Sequence, residues 1–117
     1  MQIKYKSYEN RILIPDRQEE IPLNQLRLEH REVKKKKVRR YVGNFQNEEP
    51  IDPLVVIYCE ETQAYYLANG HHRIFAAHLL GIESLLAEID ICPHRKIGGH
   101  THHSLDKTFS VENMILE

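Results

Sequence analysis

A glycine turn carrying two histidines and an arginine is the part of this sequence best suited to chemistry. Residues 69 to 73 read Asn-Gly-His-His-Arg and lead directly into an apolar run, residues 74 to 80, that ends at Gly81. A glycine lets the backbone approach a ligand closely, and the start of a helix offers unpaired N–H groups and the positive end of a dipole. Arg73 adds a forked cation whose geometry suits phosphate. The turn therefore predicts an anion site, with the phosphate of a nucleotide as its ligand.

The position of the charges in this turn supports that prediction. His72 and Arg73 fall in the first turn of the predicted helix, where a cation opposes the helix dipole at a cost of several tenths of a kcal/mol. Their placement makes physical sense when an anion is bound. His71 can donate to a phosphate oxygen or act as an acid or base, since the ordinary pKa of histidine is about 6.5. The alternatives are a capping or surface role for His71, and a purely conformational role for Gly70.

A second basic region precedes the turn by some thirty residues. Residues 31 to 40 hold seven of the sixteen lysines and arginines of the chain. The apolar residues that follow are spaced as on one face of a helix, which predicts a helix over residues 33–45 with its stop at Gly43-Asn44. The basic side chains then occupy the other faces of the helix. Either they are simply solvated, or Lys37 and Arg40 contact a polyphosphate or a nucleic-acid backbone.

The remaining apolar patterns predict a small mixed sheet flanked by helices, an α/β (α+β) fold. Residues 21–28 indicate a short strand with a turn, and residues 54–58 a strand covered on both faces. Residues 64–68 return as its hairpin partner, and residues 82–91 form a further strand. A closing helix is expected over residues 105–114.

Composition narrows the class of protein. With 117 residues, 41% hydrophobic and 28% charged, the chain is expected to form one soluble domain over residues 1–117. No apolar run reaches the roughly 20 residues that span a bilayer, and the first residues lack a secretion signal, so the expected location is the cytoplasm, without a membrane partner. The net charge of −1 argues against bulk capture of DNA. Cys59 and Cys92 are predicted to be reduced thiols, because two cysteines form no disulfide framework.

The order of these elements resembles the ParB/sulfiredoxin superfamily. The resemblance covers roughly residues 20–90 and rests on three segments: the Ile-Asp-Pro-Leu-Val-Val of residues 51–56, the tyrosine-rich hairpin strand, and the Gly-x-x-Arg turn followed by Ala-Ala and a Leu-Leu-Gly helix end. Members of the superfamily include CTP-binding partition proteins, nuclease-like proteins, sulfiredoxins that use ATP, and ADP-dependent free-serine kinases. The resemblance implies the fold, and it implies that nucleotide phosphates are held at the turn.

Comparison within the superfamily narrows the implied activity. Sulfiredoxins carry a reactive cysteine in a Gly-Cys-His-Arg turn, and this sequence has His71 at the matching place, which argues against sulfinate repair. Partition proteins have a Gly-Glu-Arg-Arg turn followed by a helix-turn-helix that reads DNA. In this sequence few residues follow the last predicted strand, so sequence-specific DNA binding by such a motif is not expected. The serine kinases resemble this turn most, through an Asp-Gly-His-x-Arg pattern in which Asn69 here replaces the acid. Small-molecule kinase activity is still an alternative, but it has less support, because Asn69 cannot serve as base or metal ligand in the way that an acid can.

Two further sets of residues carry candidate chemistry. Phosphoryl transfer needs a base near the acceptor and usually a cation on the phosphates, and the candidate bases are Glu29, His30, Glu32 and Asp52 besides His71. The tail, residues 92–117, is rich in histidine. His94, His100 and His102, with Cys92, are candidate ligands for Zn²⁺, although the spacing matches no common zinc motif. Alternatively, Gly98-Gly99 makes the tail a lid over the phosphate site.

The sequence as a whole predicts a nucleotide-phosphate-binding domain, as a binding module, a small-molecule phosphotransferase or a nucleotide hydrolase. The ligand is a nucleotide (ATP, ADP or CTP), with Mg²⁺, or another phosphorylated small molecule. The residues predicted to contact this ligand are Asn69, Gly70, His71, His72, Arg73, Lys37 and Arg40. The alternative is a ParB-like or nuclease-like protein that binds nucleic acid without sequence preference.

Overall fold

The structure, a computed structural model, describes residues 2–7, 14–92 and 108–117. Its elements, in chain order, are β1 (Arg17–Pro22), β2 (Leu26–Arg27), β3 (Glu32–Val33), α1 (Lys35–Gln46), β4 (Leu54–Cys59), β5 (Ala64–Asn69), α2 (His71–Leu79), β6 (Ser84–Cys92) and β7 (Ile115–Leu116). Two short 3-10 helices, Leu23–Gln25 and Val111–Asn113, complete the described part of the chain. The predicted fold class, a mixed sheet with helices, is confirmed.

Within the described residues, five strands form one mixed sheet in the order β1-β6-β4-β5-β2. β4 lies at the centre, parallel to β6 and antiparallel to its hairpin partner β5. β2 runs parallel to β5 at one edge, and β1 runs antiparallel to β6 at the other. The parallel pairing of β2 with β5 carries both strands to the same end of the sheet. The residues that follow β2 therefore meet the turn that follows β5.

Burial alternates along the central strand. Leu54 and Val56 are buried, whereas Val55 and Ile57, at the alternate positions, are only partly buried. Leu54 and Val56 share one hydrophobic core with Val38 and Phe45 of α1 and with Ile74 of α2. The described residues therefore cover one face of this strand fully and the other face in part, whereas the prediction has both faces covered. A strand with one fully buried face needs apolar residues only at alternate positions, and the extra apolar residues here lie on the partly exposed face.

Helix α1 continues past its predicted stop. Gly43 and Asn44 lie inside the helix, which ends at Gln46, and the Asn47 N–H then donates to the Gly43 carbonyl at 2.9 Å. The reason is Phe45, which is 1% exposed in the core. Burying a phenylalanine contributes about 1.5–3 kcal/mol, which exceeds the roughly 1 kcal/mol that a glycine costs inside a helix.

This placement makes Gly43 a position where alanine is expected to stabilise the protein. A Cβ built on Gly43 has no atom within 4 Å beyond its own helix, and Gly43 is not among the residues with positive φ. Gly43→Ala should therefore raise the free energy of unfolding by about 0.5–1 kcal/mol, because alanine has less backbone freedom to lose. Urea denaturation measures this change. A loss of stability would show that the helix does not pass through Gly43.

The last described segment, residues 108–117, closes the fold differently from the prediction. It forms a 3-10 turn capped by Ser110 and then β7, which runs parallel to β3. Leu28 and Phe109 exchange both backbone hydrogen bonds at 2.8 Å. The expected helix over residues 105–114 is therefore wrong for its described part. Cys59 is a buried free thiol, as predicted. Among the described residues, no helix is long and apolar enough to cross a membrane.

Candidate functional site

The turn at Gly70 opens helix α2 with unpaired backbone donors. Gly70 is the residue before the helix, with φ 126°, and the first backbone bond of the helix runs from the Ile74 N–H to the Gly70 carbonyl at 2.9 Å. The N–H groups of His71, His72 and Arg73 consequently have no partner within the helix. Glycine offers no side chain to cap them. This is the backbone arrangement that binds anions at helix N-termini.

Arg73 has a structural role that its sequence position did not reveal. Its side chain is 4% exposed, and Nη1 donates to the carbonyl oxygens of Asp52 and of Pro53, the latter at 2.7 Å. These bonds fasten the loop before β4 to the first turn of α2. Burial lowers the pKa of Arg73, while Tyr41 and the Asp52 carboxylate raise it. Arg73 offers an anion its charge and its remaining N–H groups, because the fold already uses Nη1.

The two histidines of the turn are poorly solvated and lack hydrogen-bond partners. The ring of His71 is stacked on that of His30, with centroids 3.8 Å apart and planes at 18°. His71 is 8% exposed. Among the described residues, three buried side-chain atoms have no hydrogen-bond partner: Nε2 of His71, Nε2 of His72 and Oδ1 of Asp52. Such atoms are uncommon in folded proteins and are typical of a site that a ligand completes.

Basic residues of α1 surround these histidines. Burial is the main cause that lowers the pKa of His72, and the charges of Lys37, His30, Lys34 and Arg40 lower it further. Burial also lowers the pKa of His71 to about 4, with smaller contributions from His30 and His72. No carboxylate is among these causes. We call this group the basic cluster, and it consists of His30, Lys34, Lys37, Arg40, His71 and His72.

An aromatic ring joins the basic cluster to Arg73. The Tyr41 ring has the guanidinium carbon of Arg40 at 5.3 Å and that of Arg73 at 5.9 Å from its centroid. Two cations at one ring gain some stabilisation from its π electrons, but they also repel each other. An anion bound between α1 and α2 would relieve this repulsion. The electrostatics of the site therefore favour a ligand that carries more than one negative charge.

The lowered pKa of His71 predicts how stability depends on pH. The unfolded chain takes up a proton near pH 6.5, whereas folded His71 does so only near pH 4, so the stability that neutral His71 contributes is present above pH 6.5 and is lost as the pH falls toward 4. Between pH 7 and pH 5 the free energy of unfolding should drop by about 2 kcal/mol from this residue alone.

Urea denaturation in buffers free of phosphate and sulfate at pH 7, 6 and 5 measures this drop. His71→Gln should remove most of it, whereas His78→Gln, at an exposed position on the last turn of α2, is the matched control. Adding phosphate should shrink the drop, because a bound anion favours the protonated ring. An identical drop in wild type and His71→Gln would contradict the assignment of His71 as a buried neutral histidine.

The structure brings most predicted site residues together. Gly70, His71, His72, His30, Lys37, Arg40, Arg73 and Asp52 all meet at the start of α2. Asn69 is exposed at the end of β5, where it pairs with Val55. Glu29 and Glu32 are exposed, and within the described chain no hydrogen bond or ion pair links them to the basic cluster.

The predicted metal ligands His94, His100 and His102, and the predicted lid, lie outside the described residues. Within those residues, no group of three or more histidine, cysteine, aspartate or glutamate side chains is placed to hold a metal ion.

Two contributors were not identified from the sequence. In the sequence, Lys34 is one of a run of four lysines, residues 34–37, and the helical spacing of Tyr41 from Val38 predicts a place on the buried face of the helix. A usable signal existed for Lys34, because Lys34, Lys37 and Arg40 are spaced three residues apart and so lie near one side of a helix. For Tyr41 the sequence held no such signal, since contact with Arg73 depends on how α1 packs on α2.

Comparison with known proteins places this fold. No protein-family model matches the chain. No curated protein matches it either. Among solved structures, sulfiredoxin from Arabidopsis thaliana superposes with a TM-score of 0.61 at 23% identity, covering 72% of this chain and 96% of that one. A free serine kinase in complex with AMP gives 0.54 at 16% identity, covering 76% and 34%. A conserved hypothetical protein from Pyrococcus furiosus gives 0.54 at 18%, covering 74% and 34%.

These similarities define the class of fold. The described fold superposes on each of these proteins over 72–76% of this chain. The chain has the ParB/sulfiredoxin-like fold, as its sequence predicted. It spans about a third of the length of the free serine kinase, so the likeness to that enzyme concerns one part of it.

Proposed function

We propose that this protein binds the phosphate groups of a nucleotide at the basic cluster. The observation that carries the proposal is the pair of buried, unpartnered Nε2 atoms of His71 and His72 beside the cations of Lys34, Lys37 and Arg40 at an open helix N-terminus. Unpaired donors and uncompensated positive charge together favour an anion with several charges. The AMP complex of the free serine kinase, which has the same fold, supports a nucleotide as the carrier of those phosphates.

The same residues suggest how chemistry would proceed at the site. At pH 7 His71 is neutral, because its pKa lies near 4, and it can accept a proton or donate a hydrogen bond without first losing a charge. Lys37 and Arg40 would hold the phosphates, and the backbone donors of α2 would orient them. The Asp52 carboxylate, whose Oδ1 is buried without a partner, would hold Mg²⁺ beside them, and Mg²⁺ would supply charge neutralisation. On this basis we propose a nucleotide-binding phosphotransferase or hydrolase, with a nucleotide-binding module without turnover as the alternative.

A thermal-shift and turnover screen tests this proposal. ATP, ADP, CTP and GTP with Mg²⁺ should raise the melting temperature of the full chain, because a ligand of the folded state stabilises it. Adenosine is the matched control, since it keeps the base and sugar but lacks phosphate. Turnover that is lost in His71→Ala would establish an enzyme, and binding without turnover a nucleotide-binding module. An equal shift with adenosine, or no shift with any nucleotide, would refute phosphate binding.

Nucleic acid is the second candidate partner, and a specific observation favours it. Lys35, Lys36 and Arg39 are exposed on α1, and within the described residues no ion pair or hydrogen bond engages their side chains. They extend the positive surface beyond the basic cluster. Binding through lysine and arginine would be independent of sequence and would weaken as salt rises.

Fluorescence anisotropy with a labelled single strand at low and moderate salt tests this candidate. Absence of binding at low salt would exclude nucleic acid as a partner. Cleavage that requires a divalent metal together with His100 or His102 would rank it above the nucleotide.

A further inference from the structure

A cavity lies at the β2 edge of the sheet, away from the basic cluster. Its volume is about 460 Å³, and it is enclosed by the 3-10 turn before β2, the turn between β4 and β5, and the closing segment 108–113. This volume falls in the range of small-molecule sites. The cavity shares no residue with the basic cluster. It needs an explanation of its own.

The chemistry of the lining is specific. Among the described residues that line the cavity, Arg27 is the cation, and none of them is an aspartate or glutamate. Within the described chain no hydrogen bond or ion pair engages the Arg27 guanidinium. The Glu19 carboxylate, which accepts from the Tyr65 hydroxyl at 2.8 Å and lies 3.6 Å from Arg17, belongs to β1 at the opposite edge of the sheet. Arg31 lies outside this lining, with its guanidinium carbon 5.1 Å from the centroid of the Phe109 ring. A single cation in the described lining matches a ligand with a single negative charge.

Side-chain amides supply the remaining polar groups. Asn24, Gln25, Gln63 and Asn113 all line the cavity, and Phe109 adds an aromatic surface. The Asn113 Oδ1 is occupied by the backbone N–H and hydroxyl of Ser110, at 3.1 and 3.0 Å, which fixes its amide plane. Amides both donate and accept hydrogen bonds, so they suit a ligand rich in amide or hydroxyl groups.

Backbone strain marks the same place. Gln63 has φ 56°, a left-handed conformation that glycine or asparagine adopts more readily than glutamine. Its N–H donates to the Cys59 carbonyl at 2.8 Å, which closes the hairpin turn. Glycine would make this turn at lower cost, whereas glutamine places an amide at the cavity. The strain is understandable if that amide contacts a ligand.

We infer that this cavity binds a small organic acid with one carboxylate and further amide or hydroxyl groups. The carboxylate pairs with Arg27, and the amides of Gln63 and Asn113 contact the polar remainder. Phosphate is expected to prefer the basic cluster, which offers several cations and a helix N-terminus, whereas the described lining of this cavity offers one cation.

Binding of matched acids and amides to the isotope-labelled full chain tests the inference. The probes are N-acetylserine, N-acetylasparagine and N-acetylglutamine, each compared with its C-terminal amide, in buffer containing inorganic phosphate to occupy the basic cluster. The acids should shift the NMR signals of residues 24–27, 63–65 and 108–113, with Kd on the order of 1 mM. The neutral amides should bind at least about tenfold more weakly, since a charge-assisted hydrogen bond is lost.

Three variants complete the test. Arg27→Gln should weaken acid binding about tenfold or more, and Lys6→Gln, which removes an exposed cation outside the cavity and the basic cluster, should leave it unchanged. Gln63→Gly should raise the melting temperature while weakening binding, which separates the ligand role of the amide from folding. The inference is overturned if amides bind as well as acids, if the shifts map to residues 70–73, or if no probe shifts the cavity at 20 mM.

Discussion

Gly70→Ala is expected to destabilise the protein by about 3 kcal/mol, the largest loss of stability that we predict for a single methyl group. Gly70 has φ 126°, and a Cβ built there would lie 2.6 Å from Cδ2 of Leu54. Leu54 is 1% exposed on the central strand and cannot move without disturbing the core. Positive φ in a residue with a Cβ costs about 1–2 kcal/mol, and overpacking adds about 1–3 kcal/mol.

Gly81→Ala is the matched control for this prediction. Gly81 also has a positive φ, 76°, but a Cβ there would have nothing within 4 Å. Its substitution should therefore cost about 1 kcal/mol, from backbone strain alone. Urea denaturation of both variants measures the difference, which isolates the clash with Leu54. Equal losses in the two variants would mean that the turn at Gly70 is less tightly packed than the structure indicates.

Lys37→Gln combined with Arg40→Gln is expected to weaken the affinity for ATP about 100-fold. Each side chain would contribute a charge-assisted hydrogen bond or a strong attraction to the phosphates, and together these contribute about 3 kcal/mol. Both residues are exposed, so the double variant should fold normally. Isothermal titration at constant ionic strength measures the affinity. The pKa of His72 should rise in the same variant, because Lys37 and Arg40 both lower it.

Lys35→Gln combined with Arg39→Gln provides the matched control. It removes the same charge from the same helix, yet neither residue is among those that lower the pKa of His72. ATP affinity should fall less than about threefold, through long-range attraction alone. If both double variants lose affinity equally, the protein attracts nucleotides by its overall charge and not through the basic cluster. If neither loses it, the nucleotide binds elsewhere.

The order of the elements was predictable from the sequence, because it depends on local patterns. Alternating and continuous apolar runs gave β4, β5 and β6, and the spacing of Val38 to Phe45 gave α1. The position of Gly70 between a strand and an apolar helix predicted the open N-terminus of α2. In each case a period of two or 3.6 residues, or the conformational freedom of glycine, identifies the element without reference to any other.

Element ends were predicted less well, because burial competes with local preference there. Gly43 and Asn44 carry a helix stop signal, but the core contact of Phe45 extends α1 to Gln46. The closing segment has apolar residues that a helix could use, but the backbone bonds between Leu28 and Phe109 and the pairing of β7 with β3 hold it extended. Tertiary contacts outweigh propensities of about 1 kcal/mol or less.

The candidate site shows most clearly what the sequence determines and what the tertiary structure determines. The sequence alone determined that basic residues and an open helix start occur in this chain, since residue type and turn chemistry are local properties. Only the tertiary structure placed His30 on His71 and brought Lys34, Lys37 and Arg40 beside His72. It also gave Arg73 a second role, as donor to the carbonyls of Asp52 and Pro53. These residues are 20 to 40 positions apart in several cases, and their contacts depend on how sheet and helices pack together, which no local pattern encodes.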